Sequence, residues 1–598
     1  MSIVALVRVT LCGLMQEKDA TLRDLQSLGI AHLLGAGGAD DAGASVGPAG
    51  TSSAREALHY LRGAANRWHQ VHDPQGFDAR AVEEHALAIK RRTRDLQDEQ
   101  LRLERRIRDL EPWGDFALLD PTSIEHRLWF YVVPHSLLPG IPAGLVWQAV
   151  HRDEQVCYIV VVSPEEPADL PVARTHTGSR RLSDLRRRLE SLQVEIDELQ
   201  AERDRETRWC DLLAASLDRL DDEAEFLRAQ RLAADDAPLF VLHAWVAEHA
   251  LADLQRLAMQ RAVAVLARRP APGDDPPTQL ANRGLDAAGQ DLLTFFLMPN
   301  YSAWDPSRSV FWFFCAFFAL MLSDAGYAAL LAVALGLGWR HLARSELGKR
   351  LRGLALVAVL LALAWGVAVG SYFGTTVPVD SVPGRLVMFD TSDLDAWLKL
   401  AVLAGVLQIA FANLARAGSA TSWRARIVPL GWLAVVLGGC IVWLTHDSAT
   451  MPAAAPTGSV LAAAGLSAVA MFAGQRRGFR NRAVDGLIAM TRVVGLFSDV
   501  LSYLRLFALA LAGAALARAF NDLGTAFDLP VRGLGELVAL LIIVTGHALN
   551  LGLCVASAVV HGLRLNLIEY LHWSLEDEGH PFTPFLRKER LSWTNSLR

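Results

Sequence analysis

The sequence predicts an α-helical polytopic membrane protein of eight transmembrane helices, the last two long and tilted, carrying an elongated α/β cytoplasmic N-terminal domain with an antiparallel coiled-coil hairpin. Three observations predict it. The chain has 598 residues, 52% hydrophobic and 20% charged, with mean hydropathy +0.23, but the average blends two unlike halves. Met1 to about Gln290 is dense in Arg, Asp and Glu, whereas Ser309 to Leu571 is a series of long apolar blocks separated by short polar loops. Within the charged half, leucines recur at coiled-coil spacing. A formal charge of -6 offers no basic face for nucleic acid.

Residues 3–9 read as a buried strand and Asp19 to Leu34 as an amphipathic helix, the start of a small α/β lobe. Arg8 interrupts the first apolar run and no small-residue cleavage site follows, so the first half is expected to stay in the cytoplasm. Residues 35–53, rich in Gly, Ala, Ser, Asp and Pro, read as a flexible loop. Gly35-Ala36-Gly37-Gly38 lacks the third glycine of a nucleotide loop, and GxxxxGK[ST] is missing from the chain, so any ATP is expected on another chain. The cysteines Cys12, Cys157, Cys210, Cys315, Cys440 and Cys554 show no CxxC spacing. No metal, cofactor or disulfide framework is therefore expected.

The segments 82–111 and 180–231 are charged helix formers. In the second, Leu182, Leu185, Leu189, Leu192, Ile196 and Leu199 share one seam, and Leu96, Leu103, Ile107 and Leu110 of the first can face it. The two are expected to pair antiparallel, with a strand-bearing distal lobe, 113–175, at the tip. A proximal lobe is expected from 1–80 and 235–290, completing a domain over 1–290 that serves as a connector.

A bilayer core of ~30 Å needs about 20 helical residues. Seven blocks approach that: 309–338, 351–373, 396–415, 427–445, 458–474, 490–520 and 535–571. Loop charges alternate, with Arg340, Arg344, Lys349, Arg350 and Arg352 in one connection and Asp380, Asp390, Asp393 and Asp395 in the next. Keeping the N-terminal half and loop 340–352 on one side requires the first block to cross twice, turning near Ser323-Asp324-Ala325-Gly326-Tyr327. That makes eight crossings over 305–572 and a cytoplasmic tail, 573–598, with Arg587, Lys588 and Arg590. The last block, roughly 55 Å at 1.5 Å per residue, must be tilted, broken or extended into the cytoplasm.

Arg505 stands in the apolar centre of the seventh crossing, where a charge is costly and normally faces an ion path or a protein partner. Ser498 and Ser502 share its face, with Asp499 beside them. In the last block His547, Asn550, Cys554, Ser557, His561 and Arg564 follow a 3,4,3,4,3 spacing, one polar stripe. Small polar residues can simply join helices, a reading that suits Asn550, Cys554 and Ser557 better than His547, His561 and Arg564. Glu569 extends the polar character. Two arginines on the final two membrane helices suggest a charged seam facing a carboxylate partner.

The runs Ser502-Tyr503-Leu504-Arg505-Leu506-Phe507-Ala508-Leu509, Gly546-His547-Ala548-Leu549-Asn550-Leu551-Gly552 and His561-Gly562-Leu563-Arg564-Leu565-Asn566-Leu567-Ile568-Glu569 resemble the membrane stator subunit, subunit I or a, of V-type and A-type rotary ATPases. The likeness extends to Glu111-Pro112-Trp113-Gly114-Asp115-Phe116, Pro276-Pro277-Thr278, Asp305-Pro306-Ser307, Ser323-Asp324-Ala325-Gly326-Tyr327, Gly370-Ser371-Tyr372-Phe373-Gly374, and Lys399 with Gln408. The family often has Gly at the position of Ser323. Eukaryotic members carry Glu at that of Cys554 and His at that of Gly513, so this chain resembles the shorter prokaryotic branch.

The resemblance implies a chain that is not an enzyme on its own but the ion-translocating stator of a rotary ATPase. Its implied partners are a proteolipid c-ring, peripheral stalk subunits, the other ATPase subunits and the lipid bilayer, in a bacterial inner membrane with both termini cytoplasmic. Arg505 would face the ring carboxylates, assisted by Arg564. Asp324, His547 and Asn550 would line the outer half-channel, and Asp499, Ser502, His561 and Glu569 the cytoplasmic one. The rival class is a secondary transporter or membrane receptor with a cytoplasmic coiled-coil sensor, expected to show inverted repeats, and no internal repeat is visible in the sequence.

Overall fold

The computed structural model describes residues 2–35, 51–73, 75–116, 126–142, 144–167, 170, 172–178, 180–271, 273–376, 378, 381, 384–389, 393–420, 422–445, 454–474, 479–526 and 534–588. The Gly-rich run 36–50, the loop residues Asp380, Asp390, Arg476 and Arg477, the side chains of Arg480 and Arg482, and Arg590 lie outside them.

β1 (Leu6–Leu14) runs beyond the expected 3–9 because buried and half-buried residues keep alternating through Gly13. α1 (Lys18–Leu28) stops before Leu34: Gly29 takes φ 65°, a left-handed cap, and the chain turns into β2 (Ala31–Leu34). α2 (Thr51–Arg62) precedes α3 (Ala79–Leu110), whose first turn is capped by the Asp78 carboxylate accepting from the backbone N–H of Arg80 and Ala81. β3 (Arg127–Pro134), β4 (Val146–Arg152) and β5 (Val156–Ser163) form an antiparallel sheet in the order β3-β5-β4, with Phe130 opposite Val160 and a register shift between Ala149 and His151. The helical run 180–231 is two helices, α4 (Leu182–Glu206) and α5 (Cys210–Leu232), separated by a 3-10 turn at Thr207–Trp209. Leu96 of α3 packs with Leu192 and Ile196 of α4, and Arg188 bonds Glu99 at 3.1 Å across the pair.

β6 (Ala234–Asp236), β7 (Leu239–Ala247), α6 (Leu251–Gln260) and β8 (Ala264–Arg268) follow. The larger sheet has the order β2-β7-β1-β8, with β6 paired to β7. The chain divides into two compact units, one of 1–10, 244–256 and 265–584, the other of 11–243, 257–264 and 585–598.

The first of these units holds α7 (Leu285–Thr294), β9 (Met298–Pro299), α8 (Ser307–Leu322), α9 (Ala325–Leu342), α10 (Glu346–Val369), β10 (Ser371–Tyr372), β11 (Thr375–Thr376), α11 (Leu394–Ser419), α12 (Trp423–Thr445), α13 (Ala454–Phe472), α14 (Phe479–Ser502), α15 (Leu504–Ala526), α16 (Leu534–Arg564), a π-helical segment Leu565–Tyr570, α17 (Leu571–Ser574) and β12 (Glu578–Gly579). Among the described residues, six helical stretches are long and apolar enough to cross a membrane: Glu346–Val369, Leu394–Ser419, Trp423–Thr445, Ala455–Phe472, Val484–Ala526 and Gly535–Ser574. The eight expected counted the two arms of the first apolar block, α8 and α9, and neither is among the six. α8 ends where Ser323 takes φ 43°, and Asp324 caps α9. α8 is apolar but shorter than the six.

α8 packs against α7, α10, α15 and α16, so its aromatic residues Phe311, Phe314, Phe317 and Phe318 are buried at the centre of the apolar core. α12 and α13 approach closely through small residues, since a Cβ on Gly438 would lie 2.6 Å from the Gly458 carbonyl. Large apolar side chains remain exposed along α16, among them Leu537, Leu541, Val544 and Leu553. Exposed apolar side chains in this number suit lipid rather than water.

Candidate functional site

The polar residues of the last two long helices separate into two clusters. His547 and Arg564 are seventeen positions apart on α16, about 26 Å at 1.5 Å per residue, along one uninterrupted helix.

In the first cluster every hydrogen-bonding group faces a partner. Asp324 is buried, and its Oδ1 accepts from the backbone N–H of Tyr327 and of Phe373 at 3.0 Å each. Oδ2 accepts from Ser371 Oγ at 2.8 Å and Gly374 N–H at 3.0 Å. This carboxylate ties the start of α9 to the β10–β11 hairpin and so sets the Tyr327 ring. Tyr327 Oη accepts from Asn550 Nδ2 at 2.9 Å and meets His547 Nδ1 at 2.7 Å. Because the hydroxyl already accepts from Asn550, its own hydrogen is free for His547 Nδ1. The other ring nitrogen, Nε2, then donates to Asn521 Oδ1 at 2.9 Å, and Asn521 donates to the Phe373 carbonyl at 2.8 Å. Asn550 also donates to the Gly513 carbonyl at 2.9 Å and accepts from Cys554 Sγ at 3.5 Å. Gly513 and Cys554, the two departures from the eukaryotic pattern, are neighbours: a Cβ on Gly513 would lie 2.8 Å from the sulfur.

The second cluster gathers Arg505, Arg564 and Glu569. The expected single helix 490–520 is broken at Tyr503, with α14 ending at Ser502 and α15 starting at Leu504. Tyr503 is buried, and its hydroxyl donates to Gln408 Oε1. Gln408 Nε2 donates to Asn566 Oδ1 at 2.9 Å, and Asn566 Nδ2 to the Gly562 carbonyl at 2.9 Å. This buried chain links the helix break to α11 and to the π-helical segment, fixing the arginines next to it. Arg505 Nη2 lies 3.9 Å and Arg564 Nε 4.0 Å from the same Glu569 oxygen, Oε1. Ser502 donates back to the Ser498 carbonyl at 3.1 Å, Asp499 Oδ2 accepts from Trp573 Nε1 at 2.8 Å, and His561 Nδ1 is buried without a partner among the described residues.

Asp499 also lines a cavity of about 1420 Å³ with Arg416, Arg424, Asp485, Arg492 and His572. Tyr327, Asn521, Tyr503 and Asn566 were not singled out as site residues from the sequence. A polar side chain inside an apolar helix, as for Asn566, is the signal that could have found them.

No family model matches the chain. It is 28% identical over 465 residues to "V-type ATP synthase subunit I" of Chlamydia pneumoniae, covering 64% of this chain and 67% of that one. To "V-type ATP synthase subunit I 1" of Treponema pallidum it is 28% identical over 343 residues, 53% of each chain. To "A-type ATP synthase subunit I" of Pyrococcus horikoshii it is 23% identical over 329 residues, 53% of this chain and 49% of that one. A crystal structure of the cytoplasmic N-terminal domain of subunit I, homolog of subunit a, of V-ATPase aligns with 44% of this chain and 99% of its own at 14% identity and TM-score 0.22, too low to bear on the fold. By its sequence, the chain is a relative of subunit I of the V-type and A-type ATP synthases.

Proposed function

We propose that this chain is the ion-translocating stator subunit of a V/A-type rotary ATPase. In this reading 1–290 is a cytoplasmic stator domain whose antiparallel coiled-coil hairpin anchors peripheral stalks. Residues 305–572 cross the membrane eight times, α8 and α9 being the two arms of the first block and the last two helices tilted. The termini are cytoplasmic and the membrane is a bacterial inner membrane. A ring of proteolipids turns against α15 and α16, each proteolipid carrying one membrane-buried carboxylate.

A neutral carboxylic acid can travel through lipid, but a carboxylate there carries a large desolvation cost. Arg505 supplies an opposite charge at one place on the circuit, so the ring group ionises and releases its proton or Na⁺ only there, and the same charge blocks leakage between two offset half-channels. Asp324, His547 and Asn550 belong to the outer half-channel. Asp499, Ser502, His561 and Glu569 belong to the cytoplasmic one, reached through the large cavity at Asp499. Each charge crossing the field is worth about 2.3 kcal/mol per 100 mV, which couples ion flow to ATP hydrolysis or synthesis on other subunits.

The single observation carrying this reading is the pair of arginines, from α15 and α16, meeting at one carboxylate within the apolar unit. In the complex reconstituted into vesicles, Arg505→Ala is expected to abolish ATP-driven ion uptake while the subunits still copurify with the proteolipid. Retained uptake would overturn the assignment.

A further inference from the structure

We propose that Glu569 is the resident counter-charge of Arg505 and Arg564, a positioning residue that leaves the two arginines one carboxylate short of neutrality and so sets them to accept a single carboxylate from the partner ring. The proposal rests on the function proposed above.

The backbone brings Glu569 to the arginines. It lies five positions beyond Arg564, and in an α-helix, at about 100° per residue, that spacing turns the two side chains well away from each other. The segment Leu565–Tyr570 is π-helical, however, and π turns close from i to i+5. The carboxylate is thereby brought within 4.0 Å of Arg564 Nε. Its side chain is 4% exposed.

The contacts are incomplete in a specific way. Both guanidiniums approach one oxygen, Oε1, at 3.9 and 4.0 Å, close enough for attraction but beyond hydrogen-bond range. Glu569 Oε2 and Arg505 Nη1 are both buried with no hydrogen-bond partner among the described residues. Two positive charges are therefore set against one negative charge. Asp499, the other acid nearby, is held by Trp573 Nε1 and makes no ion pair within 4 Å with either arginine among the described residues. One positive charge is left over in an apolar unit, where uncompensated charge is costly, and one arriving carboxylate removes it. Without Glu569 the excess would be two, and a ring carboxylate would be held rather than passed on.

The test is a set of variants in the intact reconstituted complex, read by initial ATP-driven ion uptake and by subunit copurification. Glu569→Gln is expected to lower uptake on the order of tenfold or more, since the buried carboxylate shared by the two arginines is removed, whereas Glu569→Asp keeps most of it. Glu569→Gln combined with Arg564→Gln returns the excess to one, so the double variant should lose less than the product of the two single losses. If Glu569→Gln prevents assembly, the double variant should recover it. Uptake by Glu569→Gln within about twofold of the parent, or single losses that simply multiply, overturns the counter-charge. So does failure of the double variant to recover lost assembly. Arg505→Ala separates the two levels: if that variant pumps, the functional reading itself falls, and if it is silent while Glu569→Gln pumps normally, only the counter-charge does.

Discussion

Among the described residues, Asp274 stands between Arg8 and Arg268 as Glu569 stands between Arg505 and Arg564. Asp274 Oδ1 accepts from Arg8 at 2.8 Å and from Arg268 at 3.2 Å, and its Oδ2 accepts from the Ala271 N–H at 2.8 Å. Both of its oxygens are in use. Glu569 meets its arginines only near 4 Å through one oxygen and leaves the other unpartnered. The same three charges thus make a closed clasp in one place and an open one in the other. Hydrogen-bonded charge is spent on holding structure, and unsaturated buried charge keeps a capacity to bind. Within the apolar unit the same contrast separates Asp324, with four hydrogen bonds, from Glu569.

Substitutions can break this contrast. The largest effect on stability is expected at the closed site in the apolar core. Asp324→Ala strands the buried N–H groups of Tyr327 and Gly374 and the half-buried one of Phe373, and at roughly 1–3 kcal/mol for each buried unsatisfied donor the protein should lose several kcal/mol. Thermal unfolding in detergent checks it, and an unchanged midpoint would show that the cluster is not structural. Tyr327→Phe removes one hydroxyl shared by Asn550 and His547 and should cost about 1–2 kcal/mol in the same measurement.

At the open site the expectation reverses: Arg505→Gln should alter unfolding by less than about 1 kcal/mol, because it removes a partly exposed charge that makes only weak contacts. A large destabilisation there would mean that the arginine holds the fold.

The smallest effect is at Asp274. The Ala271 N–H, then Arg268 and Arg8, hold its carboxyl below the usual range, against the opposing push of burial. A lowered value in the folded chain means that the contribution is present above the unfolded value of about 3.9 and disappears as pH falls through the folded one. Asp274→Asn should therefore lower stability slightly at neutral pH, where the contribution is present, and flatten the acid limb below about pH 4, the loss being small as expected for a partly exposed pair.

The amino-acid sequence by itself determined the division into a charged and an apolar half, the apolar blocks, and the arginines and histidines worth attention, because these depend on composition and on spacing along one helix. Arg505 is legible for that reason: a charge inside an apolar run is conspicuous without any neighbour. Only the tertiary structure decided what those residues meet. The break at Tyr503 is coupled to Gln408, and Gln408 to Asn566, 158 positions away. Nor is the π-helical turn that brings Glu569 to Arg564 a matter of apolar periodicity. Asp324 and Glu569 read alike in the sequence, as acids close to membrane helices. Their difference comes from how many donors the packed helices and the β10–β11 hairpin present to each, since hydrogen-bond saturation depends on helix rotation and loop path rather than on residue type.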